Sequence, residues 1–192
     1  LQAESIFYRN EKLYYTRANE LFSYNHSTQH SQKILETPYT SEVIKAVYFE
    51  REDNMWLGTN KGLYIAKNNT IECIMESIDI SCFFMDTTHN LWIGTVNDGI
   101  RIVHACNPNK ISIIKEKESS PEGYQLSNNR IRCINEDNQQ NIWVGTYAGI
   151  TLFSLKDRTS SILVQNDKTD YSLKHNSIYA IHKDKQGTMW VG

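Results

Sequence analysis

One motif recurs along this chain and constrains its fold more than any other feature. Met55-Trp56-Leu57-Gly58-Thr59 returns as Leu91-Trp92-Ile93-Gly94-Thr95, as Ile142-Trp143-Val144-Gly145-Thr146, and as Met189-Trp190-Val191-Gly192. Lys12-Leu13-Tyr14-Tyr15-Thr16 reads as a worn first copy, with Leu13 in the Trp position. From Leu13 onward the successive spacings are 43, 36, 51 and 47 residues, a mean of about 44.

The match extends well beyond the tryptophan. Six residues before each Trp stands an acid: Glu50, Asp86, Asp137 and Asp184. Nine before stands an apolar residue (Val47, Phe83, Ile134, Ile181), and twelve before stands Ile (Ile44, Ile80, Ile131, Ile178). Ten before stands a small residue: Ala46, Cys82, Cys133 and Ala180. After each complete motif comes a glycine (Gly62, Gly99, Gly149) and then an apolar run.

Each offset has a physical reading. Ile-x-small-apolar predicts a short strand buried on both faces. The acid opens a tight turn. Trp-apolar-Gly-Thr is a second strand whose glycine admits a close neighbour. The following glycine closes a hairpin with a positive φ. A third and a fourth apolar segment complete the unit. A four-stranded unit repeating about every 44 residues predicts an all-β chain built as a β-propeller fragment. The expected blades are 3–38, 43–77, 79–118, 128–166 and an incomplete 176–192, about four and a half four-stranded antiparallel blades across 1–192. Because the sequence stops inside a repeat motif, we expect it to be part of a longer protein whose remaining blades are its partners. Bare blade faces would expose apolar surface, so the 192 residues are not expected to be stable alone.

Composition narrows the function classes. A net charge of −2, from 20 Lys+Arg and 22 Asp+Glu, lacks the basic excess that a nucleic-acid partner would require. No apolar run reaches the roughly 18–20 residues of a membrane span. No CxxC or Cys/His cluster has zinc spacing, so neither a metal nor a cofactor is expected. No nucleophile elbow, HExxH, Walker or dinucleotide fingerprint is present. The acids recur in register, which assigns them to turns and leaves no catalytic residue to nominate. Trp56, Trp92, Trp143 and Trp190, with Gly58, Gly94 and Gly145, read as structural repeat residues. Cys82 and Cys133 read as small, buried and unbridged core residues, because equivalent slots lie a blade apart.

Length variation locates the permissive loops. The long repeats carry insertions at 118–129 and 167–176, which resemble each other through Tyr124/Tyr171, Leu126/Leu173 and Asn129/Asn176, all 47 apart. Loops on one face of a repeat array are often the binding face. Leu and Asn are read as pinning the loops to the blade. Tyr124, Tyr171, Arg130 and His175 are the candidate ligand or partner residues, presented side by side.

The pattern Ile-x-x-Ile-x-x-Asp, Asn-x-Trp-Ile-Gly-Thr, Gly-Ile, together with Leu126-Ser127-Asn128-Asn129-x-Ile131, resembles the two-component regulator propeller repeat. That family is the periplasmic sensor region of Bacteroidetes-type hybrid two-component system histidine kinases. The resemblance implies a seven-bladed parent on the periplasmic side of the inner membrane, anchored in it. It also implies an oligosaccharide ligand derived from glycans, and signalling to a cytoplasmic kinase that lies outside this chain. Two other readings stand beside it: a protein-interaction or homodimerisation scaffold, and a propeller lyase or glycosidase.

Overall fold

The computed structural model describes residues 3–51, 54–68, 70–116, 124–166 and 172–192, with the side chains of 108 and 109 outside that description. Every regular element among them is a β-strand. The first sheet contains β1 (Ser5–Arg9), β2 (Lys12–Arg17), β3 (Glu20–Asn25) and β4 (His30–Glu36). The second contains β5 (Ile44–Arg51), β6 (Asn54–Thr59), β7 (Gly62–Lys67) and β8 (Thr70–Glu76). The third contains β9 (Ile80–Met85), β10 (Leu91–Thr95), β11 (Ile100–His104) and β12 (Asn107–Ile114). The fourth contains β13 (Ile131–Glu136), β14 (Asn141–Thr146), β15 (Gly149–Ser154) and β16 (Thr159–Leu163). β17 (Ile181–Lys183) and β18 (Met189–Val191) pair as a fifth, two-stranded sheet. In every sheet the strands are neighbours in chain order. Two compact units, 1–80 and 81–192, divide the chain at the start of β9.

The recurring acid and tryptophan are joined. Trp92 Nε1–H donates to Asp86 Oδ2 at 2.8 Å, Trp143 to Asp137 at 2.9 Å, and Trp190 to Asp184 at 2.8 Å. Trp56 donates to Glu50 in the same way at 2.9 Å. The second oxygen of each aspartate accepts backbone N–H groups of its own turn: Thr88 and Asn90 for Asp86, Gln139 and Asn141 for Asp137, Gln186 and Thr188 for Asp184. The turn residue three before each of these Trp takes a positive φ, 64° at His89, 64° at Gln140 and 89° at Gly187. Asp86, Asp137 and Asp184 are thus turn residues, as expected, and also anchors for their indoles, whereas Glu50 anchors Trp56 from within β5.

The glycine two residues after Trp pairs with the small residue of the first strand, as Gly58 with Ala46 and Gly145 with Cys133. The threonine that follows is buried and bonds across the next turn. Thr59, Thr95 and Thr146 Oγ1 donate to the carbonyls of Gly62, Gly99 and Gly149. The expected positive φ occurs at Gly99 (71°) and Gly149 (113°) and not at Gly62. At Gly62 the constraint is space: a Cβ there would lie 2.9 Å from the carbonyl oxygen of Met75 on β8.

Cross-strand register corrects the first repeat. Thr16 pairs with Leu21 as Gly58 does with Leu63, Gly94 with Ile100 and Gly145 with Ile150, and these four partners are fully buried. Tyr14, rather than Leu13, therefore occupies the Trp slot of the first sheet. A one-residue shift moves a side chain to the opposite face. The Tyr14 ring accordingly faces the second sheet, 4.6 Å from the ring of Phe49. Six residues before it stands Tyr8, so this sheet has no acid for the anchor and the copy carries too little of the motif to set its own register.

Each unit has its own core. In 1–80 it is built on Tyr14, Leu21, Ile44, Phe49, Leu57 and Tyr64. In 81–192 it is built on Trp92, Ile100, Ile114, Leu126, Ile131, Ile142 and Phe153. Each such side chain taken from water contributes about 1.5–3 kcal/mol. The fourth strands β4 and β16 are mostly exposed, as rim strands should be.

The thiols are all free. Cys82 and Cys133 are partly rather than fully buried as residues, because only the side chain turns inward. Each sulfur lies where a Cβ on Gly94 or Gly145 would meet it. Desolvation pushes Cys82 up to about 12 and Cys133 up to about 11. Thiolate is the reactive form. In a maleimide time course at neutral pH, exposed Cys106 is expected to label at least tenfold faster than Cys82 or Cys133. Equal rates would place those two sulfurs in solvent.

Candidate ligand-binding site

The first strand of the fourth sheet begins with two arginines, and the elements around it bring two tyrosines to them. Arg130 precedes β13 and Arg132 lies on it. Tyr147 occupies the β14–β15 turn, its N–H bonded to the Arg130 carbonyl at 3.2 Å. Tyr179 lies just before β17. That segment is tied to the fourth sheet by the Ile178 N–H on the Thr146 carbonyl, 2.9 Å, and by the Gly149 N–H on the Asn176 carbonyl, 2.6 Å.

The Arg132 guanidinium carbon sits 3.9 Å from the centroid of Tyr179 and 5.7 Å from that of Tyr147. Arg130 stands 5.5 Å from the Tyr147 centroid. Tyr147 is 54% and Tyr179 67% exposed. These distances are those of cation–π pairs. Arg132 Nε is buried without a hydrogen-bond partner. Among the described residues neither guanidinium has an acidic partner. The equivalent of Arg132 in the second sheet is Lys45, and it does have one: its Nζ lies 2.7 Å from Asp79. The Arg–Tyr group therefore offers two flat, exposed rings and two unneutralised forks of N–H donors. Such a surface can stack on a sugar ring and bond its hydroxyl or carboxylate oxygens.

Of the four residues nominated from sequence, Arg130 belongs to this cluster and is exposed. Tyr124 does not. It is 6% exposed, with its ring edge-on to Phe153 at 5.2 Å and its side chain in the core beside Trp92. The expected display of Tyr124 on an open face is corrected: the groove between the third and fourth sheets offers apolar surface, and the ring fills it. Tyr171 lies outside the described residues. His175 is exposed, its Nδ1 accepting the Ser177 N–H at 3.0 Å, and no described contact joins it to the arginines. Leu126 is buried, and Asn129 and Asn176 Oδ1 accept the N–H groups of Glu116 and Gln165. These residues pin the loops, as expected.

Arg132, Tyr147 and Tyr179 are not among the residues that the sequence nominates. A signal for Arg132 and Tyr179 exists in the repeat itself. The x of Ile-x-small is Lys45, Ser81, Arg132 and Tyr179, so it is the unmatched position inside a matched strand. Among the described residues no group of three or more His, Cys, Asp or Glu could hold a metal ion.

Structural comparison places the fold in a class. The chain aligns over 99% of its length with 25% of the extracellular domain assigned to a hybrid two component system of B. thetaiotaomicron, at 18% identity and a TM-score of 0.77. It aligns over 97% with 61% of virginiamycin B lyase from Staphylococcus aureus, at 12% identity and a TM-score of 0.66. It also aligns over 97% with 30% of PorZ, a surface component of the type-IX secretion system of Porphyromonas gingivalis, at 13% identity and a TM-score of 0.65. No curated protein matches the chain in sequence. The chain is a partial β-propeller, and its four-stranded sheets are the blades. The model of the two component regulator propeller family matches residues 125–148 and 172–192. All four residues of the Arg–Tyr cluster fall inside those two segments.

Proposed function

We propose that this chain is part of the extracytoplasmic ligand-sensing propeller of a hybrid two-component sensor kinase, and that it binds oligosaccharides released from glycans. The observation that carries this reading is the exposed Tyr147–Arg132–Tyr179 stack with Arg130 beside it. It is a binding surface without a nucleophile, a paired acid or a metal-ligand group, which favours recognition over turnover. The repeats matched at 125–148 and 172–192 support the sensor context, and the fold shared with a hybrid-system extracellular domain is compatible with it. In this reading the chain lies on the periplasmic side of the inner membrane and the kinase lies elsewhere in the protein.

Tyr179→Ala and Arg132→Ala in the intact protein are the test. Each is expected to weaken binding of the glycan fragment selected on a glycan array by tenfold or more, measured by calorimetry, with thermal stability changed little. Unchanged affinity in both variants would move the ligand to another surface. A change in self-association with no glycan bound by the parent would favour a dimerisation scaffold instead.

A further inference from the structure

The protein's own repeats reveal a second, vacant recess. Each blade carries a cross-strand row through its Trp slot: Trp56–Ile65, Trp92–Ile102 and Trp143–Leu152 in blades two to four. In blade one the row is Tyr14–Ser23, continued by Gln32 on β4. The facing wall changes as well. Phe153 of blade four packs 5.8 Å from Trp92, ring to ring, and Tyr124 fills the space beside it. At the register position of Phe153, blade two has Ala66: Met55 pairs with Ala66 as Ile142 pairs with Phe153.

Ala66 leaves the wall to Phe49, which stands where blade four has Glu136 and packs 4.6 Å from the Tyr14 ring, so two exchanges open the groove between blades one and two: Tyr for Trp, and Ser for Ile or Leu. The recess there measures about 720 Å³, against about 130 Å³ at the equivalent place between blades three and four. Its lining is of two kinds. Phe49 and Met55, paired across β5 and β6, form an apolar wall with the Tyr14 ring. Ser23, Gln32 and His30 from the β3–β4 hairpin line it with polar atoms. Their side chains make no hydrogen bond among the described residues. In blade three the register equivalents of Asn25 and Gln32 are His104 and Ser112, and these are used internally, His104 Nε2 and Ser112 Oγ lying 2.9 Å apart.

We infer that this inter-blade groove is a binding site for a neutral oligosaccharide, separate from the Arg–Tyr cluster. An aromatic and apolar wall facing unused hydroxyl, amide and imidazole groups is what a polyhydroxylated ring needs, one face for its C–H groups and one for its hydroxyls. The lining includes one Lys and one Glu, Lys12 and Glu11, with no excess of either sign. That balance favours an uncharged ligand over an acidic one.

The test uses the intact protein labelled with ¹³C at methionine methyls, titrated with maltotetraose, cellotetraose and mannotetraose. At least one is expected to shift the Met55 resonance saturably, with no effect of Arg132→Ala. Ser23→Ile restores the residue type of the other blades, so it preserves the fold while filling the recess, and it is expected to weaken that binding at least tenfold. The inference is overturned if none of the three moves Met55, if Ser23→Ile leaves the affinity unchanged, or if only an acidic tetrasaccharide such as tetragalacturonate acts there.

Discussion

Replacing Trp92 by Ala is expected to destabilise the 81–192 unit by about 3–5 kcal/mol, the usual range for emptying a buried tryptophan site. Trp92 is 1% exposed and stands 5.8 Å from Phe153 on the next blade, so the cavity opens at a blade boundary. The substitution also removes the indole donor from Asp86. Trp92→Phe separates the two losses, because it keeps most of the volume and removes only the N–H. It is expected to cost about 1–3 kcal/mol less than the alanine variant in urea unfolding. If the two variants unfold alike, the anchor rather than the packing governs the site.

The same anchor gives a pH dependence with a definite sign. Burial pushes Asp86 up, and the Trp92 indole together with Asn90 and Thr88 more than offsets it, so the carboxyl rests below the usual aspartate range. Asp137 is held low by the same arrangement around Trp143. A folded-state pKa below the unfolded one contributes stability that is present above the unfolded value near 4. That stability is lost as pH falls through the folded value. Acid unfolding of wild type should therefore steepen below about pH 4, and Asp86→Asn should flatten that limb while lowering stability at pH 7. An unchanged acid limb would exclude the anchor as its source.

The second large effect is expected at Gly145. A Cβ there would lie 2.5 Å from Cys133 Sγ and 2.7 Å from Ile178 Cγ2, the first within the blade and the second on the next. Gly94 is held the same way, by Cys82 and Ile131. Gly145→Ala is expected to cost about 1–3 kcal/mol by overpacking, and Gly145→Val more. Adding Cys133→Ala should recover part of the loss, because residues in contact couple in double-mutant cycles. Strict additivity would show that the backbone moves aside instead, leaving the next blade undisturbed.

Much of the architecture is legible in the repeat alone. The acid, the Ile, the small residue, the Trp and the Gly stand at constant offsets because each serves a contact repeated in every blade. Repetition therefore identifies the strands and their turns directly, and it correctly assigns Asp86, Asp137 and Asp184 to turns, though not Glu50, which lies within β5. The first copy escapes that logic by one residue. Without Trp or acid, Leu13 and Tyr14 are equivalent in pattern, and only the Thr16–Leu21 pairing decides between them.

Functional residues are less legible, for the opposite reason. A binding surface is made of what the repeat does not share. Tyr124 resembles such a residue because it sits in an insertion, yet the apolar groove beside Trp92 takes its ring. Arg132 and Tyr179 resemble fillers between matched residues, 47 positions apart, and are brought within 3.9 Å by the packing of β13 against β17. The sequence by itself determined the blade: its strand order, its turns and its tight glycine, because these depend on contacts within about 50 residues that recur in register, while the bond from each acid to its tryptophan appeared only in the structure. The tertiary structure alone decided which rings are buried, which guanidinium lacks an acid, and which groove is left empty. Those outcomes depend on side chains from two neighbouring blades meeting at one boundary, and no single repeat contains both halves of that contact.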